Sequence, residues 1–118
     1  MHEELSQAIF DLGPFVRYVA FGEGQAVSMR ERGDLQAASD SASDRFEELL
    51  VNPTLLTLTR QRGELDCGGL RFVVVGYGNF NQLVMPTRVG HVSVALEKDA
   101  DVLSVAGDLA RLVDRFDV

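Results

Sequence analysis

The spacing of apolar positions switches repeatedly between helical and strand periods, and each switch predicts an element. In residues 3–12, Leu5, Ala8, Ile9 and Leu12 fall three, four and seven positions on from the first, one stripe of a short amphipathic helix. Glu3 and Glu4 suit its N-terminal end. Gly13-Pro14 reads as a left-handed cap followed by a residue that cannot continue the helix. Residues 15–21 are rich in β-branched and aromatic side chains, and residues 25–31 alternate apolar and polar. With Gly22-Glu23-Gly24 between them, they predict a β-hairpin.

Residues 35–51 return to the helical period. Ala38, Ala42, Phe46, Leu49 and Leu50 form the apolar stripe, and Ser39, Asp40, Ser43, Asp44, Glu47 and Glu48 the wet face. Asn52-Pro53 interrupts it, because proline is disfavoured inside a helix yet tolerated at a first helical position after an Asn cap. A kink or two abutting helices is expected, the second running through Leu55, Leu56 and Leu58 to a cap at Gly63. Three strands follow, at 70–76, 79–85 and 91–97, separated by Gly76-Tyr77-Gly78 and by Pro86 to Gly90. The last helix, 100–116, carries Val102, Val105, Ala106, Leu109, Leu112, Val113 and Phe116 in period, with Asp99 or Asp101 to cap it.

The order α-β-β-α-β-β-β-α, joined by hairpin and meander connections, predicts one α+β domain over residues 1–118. Its five-stranded antiparallel sheet would be flanked by helices, since no other surface could cover three amphipathic helices.

Composition narrows the function. The chain has 118 residues, 46% of them apolar, enough for a core without disulfide or metal staples. A net charge of -7 with scattered basic residues argues against nucleic acid and anionic membranes as partners. The single cysteine, Cys67, permits no internal disulfide. The N-terminus lacks the features of a signal peptide, and no apolar stretch approaches a membrane span. A cytoplasmic protein with no membrane insertion is expected.

The residues that usually carry chemistry do not converge. His2 lies in a terminal segment, and a packed or solvated histidine accounts for His91 at a strand start. Cys67 stands beside Glu64 and Asp66, which would raise rather than lower a thiol pKa. The glycine pairs precede strands, not helices, so they do not cradle phosphates, and Lys98 is the only lysine. Glu47/Glu48 and Asp99/Asp101 read as a solvated helix face and a helix start. No catalytic residue, metal site or cofactor is expected.

Two features ask for a partner. Val73-Val74-Val75 is apolar on both sides; at a sheet edge it would need another chain, whereas an internal position would satisfy it. Leu55, Leu56 and Leu58 cannot all face one sheet from a regular helix, so either a kink turns them inward or some cover a second subunit.

The element order, the glycine-turned hairpin at 15–31, the long helix leading into Gly68-Gly69-Leu70-Arg71-Phe72-Val73-Val74-Val75, the meander closed by Gly90-His91-Val92-Ser93-Val94 and the Asp-rich entry to the last helix resemble the roadblock/dynein light chain family over about residues 3–116. Longin and profilin-like folds are related. The resemblance implies a homodimer or heterodimer, with third strands paired into one sheet and second helices side by side. It also implies a non-catalytic adaptor for a small Ras-like GTPase or other signalling partner. Carried over, the dimer surface comprises Ala38, Ala42, Phe46, Leu49 and Leu50 on the helix and Leu70, Arg71, Phe72, Val73, Val74 and Val75 at the strand. Asn52-Pro53 departs from the family's usually continuous second helix. The alternative is a profilin-like or PAS-like small-molecule sensor, with a cavity lined by residues such as Tyr18, Phe21 and Tyr77.

Overall fold

The computed structural model describes residues 2–33 and 41–118, the side chains of Ser41 and Ala42 excepted. Its elements are α1 (Glu3–Phe10), β1 (Val16–Glu23), β2 (Ala26–Glu31), α2 (Ser41–Phe46), a π-type turn (Glu47–Val51), α3 (Asn52–Asp66), β3 (Val73–Gly76), β4 (Phe80–Pro86), β5 (His91–Glu97) and α4 (Val102–Arg115). The strands form one antiparallel five-stranded sheet in the order β2-β1-β5-β4-β3, the α+β arrangement expected. β2 and β3 are its edges.

Side chains alternate across a strand, so each strand feeds two different layers. One layer is apolar: Val19 and Phe21 of β1, Leu83 and Met85 of β4, and Val92, Val94 and Leu96 of β5 meet Leu5 and Ile9 of α1 and Val105, Ala106 and Leu109 of α4. A register shift between Val16 and Tyr18 against β5 lets Val16 join the same layer as Val19. Arg17, at the irregularity, bonds both carboxylate oxygens of Glu97, at 3.1 and 3.2 Å. At the start of α4, Asp101 Oδ1 accepts the Ser104 N–H at 3.2 Å, a conventional N-cap.

Several boundaries differ from the sequence reading. α1 ends at Phe10, and Gly13 is not left-handed; a Cβ there would lie 2.2 Å from the Phe15 ring, so the glycine makes room. Gly63 is no cap but a buried residue within α3. Its carbonyl accepts the N–H groups of Cys67 and Gly69, both at 3.0 Å, as the chain folds back over it. A Cβ on Gly63 would come within 3.0 Å of the Gly69 carbonyl carbon. The third strand starts at Val73, leaving Leu70, Arg71 and Phe72 as an extended approach in which Phe72 packs under α4's layer.

Candidate partner-binding face and the polar cluster beneath it

The sheet's second face lies under the helical run 41–66. Pro53 shapes that run. It has no N–H to give to the carbonyl four residues back, and its ring would crowd that carbonyl. The helix responds by widening: the Asn52 N–H bonds the Glu47 carbonyl, five residues back. Asn52 is itself helical, with φ -63° and ψ -48°, and its side chain caps nothing. The expected break is thus a π-type turn within a continuous run.

That turn decides which residues meet the sheet. Glu48, Asn52 and Leu56 face inward, with Glu48 and Asn52 sealed from solvent. Beneath them the register aligns Tyr18 with Ala95, Ala20 with Ser93 and Gly22 with His91, and on the other side Gln82 with Ala95. The layer is therefore polar. Glu48 Oε1 accepts from His91 Nε2 at 2.8 Å and Asn52 Nδ2 at 3.1 Å, while Oε2 accepts from the Tyr18 hydroxyl at 3.0 Å. Three donors on one buried carboxylate offset the loss of its hydration. Asn52 Nδ2 and Gln82 Nε2 also reach Ser93 Oγ. Burial, then the Glu48 charge, pushes the Tyr18 phenol far above its ordinary range. The ring of His91 occupies the space over Gly22, where a Cβ would lie 2.3 Å from Cε1.

Glu47 and Glu48 were expected on the wet face; both are buried, as is Asp44. The Tyr77 hydroxyl donates to Glu47 Oε1 at 2.6 Å. Burial raises the Glu47 pKa, opposed by the Tyr77 hydrogen bond and reinforced by the Glu48 and Asp44 charges. Tyr77 is pushed up to about 12 by burial and by Glu47.

The outward side of the same run exposes four large apolar side chains among polar ones such as Arg45, Thr54 and Arg60. Phe46, Leu50, Leu58 and Leu65 are 58%, 55%, 61% and 79% exposed. Of the residues expected on a dimer surface, Phe46 and Leu50 thus point outward and Leu49 is half-buried. Ala38 lies outside the described residues, and Ala42 stands in α2 with its side chain outside them. Among the described residues β3 has no strand partner beyond β4; Val73 and Val75 are half-buried and Val74 is exposed. Leu70 and Phe72 are half-buried outside the strand.

Other candidates lie elsewhere. His2 stacks on Phe21 at 4.3 Å between ring centroids. Cys67 is exposed, with Arg62 Nη1 3.1 Å from its sulfur. Among the described residues no group of three or more His, Cys, Asp or Glu could hold a metal ion, and no helix is long and apolar enough to cross a membrane.

A sheet of this order, with two helices on an apolar face and one long helical run on a polar face, is the roadblock fold. A Roadblock/LC7 domain from Streptomyces avermitilis superposes with a TM-score of 0.72 at 19% identity, covering 95% of this chain and 91% of that one. The gliding protein MglB from Thermus thermophilus gives 0.64 at 11% identity, covering 96% and 88%. A structure of MglB with a tetrameric arrangement gives 0.65 at 11% identity, with the same 96% and 88% coverage. No protein-family model and no curated protein matches the sequence.

Proposed function

We propose that this chain is a non-catalytic adaptor or regulator of roadblock type, a single domain over residues 1–118 that self-associates and binds a small Ras-like GTPase or another signalling protein. The observation that carries the reading is the inverted polarity of the helical run 41–66. Its sheet-facing side holds Glu48 and Asn52 beside Leu56, while its solvent side exposes Phe46, Leu50, Leu58 and Leu65 among polar residues. An isolated globular chain gains nothing from that arrangement, whereas a second chain on the outer side would bury all four residues. The outer edge of β3, which pairs with no other strand among the described residues, would meet the same partner, so that two copies would extend one sheet. The likeness of fold to roadblock structures supports both contacts.

Light scattering coupled to gel filtration tests self-association: a dimer at micromolar concentration is expected, and a strict monomer at high micromolar concentration refutes it. The GTPase half is tested separately. Pull-down with small GTPases from the same genome, in their GDP and GTP states, should capture at least one state-selectively. Failure with every such GTPase would leave self-association standing and remove the GTPase partner.

A further inference from the structure

A recess opens between the π-type turn and the β3–β4 hairpin. Its volume is about 410 Å³, and Tyr18, Phe46, Tyr77 and Phe80 line it together with Asp44 and Glu47. The Tyr77 and Phe80 rings stand 5.2 Å apart between centroids, tilted by 43°. Glu47 is 9% exposed; its Oε1 is held by the Tyr77 hydroxyl, but its Oε2 has no hydrogen-bond donor among the described residues. Glu48 lies behind it with all three of its donors on the chain.

We infer that this recess binds a guanidinium-type cation, carried by a free small molecule or by an arginine of a bound chain. The chemistry of the wall makes the choice. Aromatic faces attract a cation through their ring quadrupoles, and a guanidinium stacks on them while its planar N–H fork meets a carboxylate. Glu47 Oε2 is an acceptor without a donor and is sealed from solvent, so a fork that meets it must displace the side chains covering it. The protein already makes such a contact nearby: the Arg17 guanidinium carbon lies 5.8 Å from the Phe80 centroid, with its own charge committed to Glu97. An anionic guest would oppose Glu47, and a neutral donor would meet Oε2 without offsetting its charge, a bond of roughly half the strength. Burial, and after it the Glu48 and Asp44 charges, raise the Glu47 pKa against the Tyr77 hydrogen bond and His91, and a bound cation would offset that rise. Binding should therefore tighten as pH rises through the Glu47 titration, because the cation prefers the ionised form.

The test is an amide-shift titration of the ¹⁵N-labelled full chain with agmatine, with N-acetyl-Gly-Arg-Gly-amide and with neutral N-butylurea. Saturable shifts at Gly78, Asn79 and Phe80 are expected for the two cations and none for the urea. Glu47→Gln should weaken binding by at least about tenfold, the loss of a charge-assisted contact. Tyr77→Phe, which keeps the ring and removes only the phenol, should weaken it less. Tighter binding of agmatine identifies a free guanidinium compound, and tighter binding of the peptide identifies an arginine on a chain; either upholds the inference. Absence of shifts up to about 20 mM of both cations, beyond the weakest affinity worth calling a site, overturns it. So does equal binding by Glu47→Gln. Phe46 is the one wall residue shared with the four apolar side chains proposed for self-association, so the titration is run at a chain concentration where light scattering has fixed the oligomeric state, and the two outcomes stay distinguishable.

Discussion

His91 Nε2 lies 2.8 Å from Glu48 Oε1, with side-chain exposures of 5% and 0%. The carboxylate joins the helical run to two central strands, since it also takes the Tyr18 hydroxyl from β1. Glu48→Gln keeps the shape and removes the charge; its NH₂ group fits only on the Tyr18 side, where the hydroxyl can accept from it while donating to Gln82 Oε1 at 3.1 Å. A loss of about 1–2 kcal/mol of stability is expected, as charge-assisted hydrogen bonds become neutral ones. Glu48→Ala, which strands all three donors, should lose about 3–5 kcal/mol. Urea unfolding measures both, and a Gln variant as stable as the wild type would show that the cluster does not anchor the helix.

Gly22 is the floor beneath His91. Its φ is not in the left-handed region, so only space forbids a side chain there. Gly22→Ala should destabilise by about 1–3 kcal/mol through overpacking. Combined with His91→Ser, which removes the ring, the same substitution should cost much less than it does alone, so the double-mutant cycle should have a coupling of at least about 1 kcal/mol. Simple additivity would mean that the imidazole is not what excludes the Cβ.

The apolar layer was legible because periodicity reports it directly: Val92, Val94 and Leu96 mark one face of β5, and Val105, Ala106 and Leu109 one face of α4. The polar layer was not. A single helical period run through residues 35–51 places Phe46 and Leu50 inside and Glu47 and Glu48 outside, whereas the structure reverses them. Two causes combine. The π-type turn before Pro53 changes the residues per turn, so phase cannot be carried across it. Apolar residues are also assigned to the core by default, which fails where a helix exposes several of them, as at Phe46 and Leu50. One signal was present: in β5 the residues alternating with the core valines are His91, Ser93 and Ala95, and in β4 Gln82 alternates with Leu83. Polar groups on the inner positions of central strands require polar partners above them, and Glu48 and Asn52 are the available ones.

Glu47 gives a pH dependence with a definite sign. Its pKa in the folded chain is raised, chiefly by burial. The stability linked to this group is therefore fully present below its unfolded pKa and is lost as pH rises through the higher folded value. Glu47→Gln removes that loss. The stability of the variant relative to wild type should increase between about pH 4.5, the ordinary carboxylate value, and neutrality. Urea midpoints across that interval measure it, and a difference that is flat or falls with pH contradicts the assignment.

Leu58 and Leu65 separate folding from association. Both are exposed in the single chain, so Leu58→Glu and Leu65→Glu remove little folded-state burial. Each should change the stability of the isolated chain by no more than about 0.5 kcal/mol, the range for ordinary surface positions. If the outer side of the helical run meets a second copy, the double variant must bury two charges in an apolar contact. Its self-association should weaken by about a hundredfold or more, as for the loss of an interface hot spot. Leu56→Glu is the control, because Leu56 is buried against the sheet and its loss should unfold the chain. Sedimentation equilibrium alongside thermal unfolding reads the two effects independently. A double variant that associates like the wild type would move the interface away from this helix, and the β3 edge would then be probed alone with Val74→Lys, whose side chain is exposed on the last strand of the sheet.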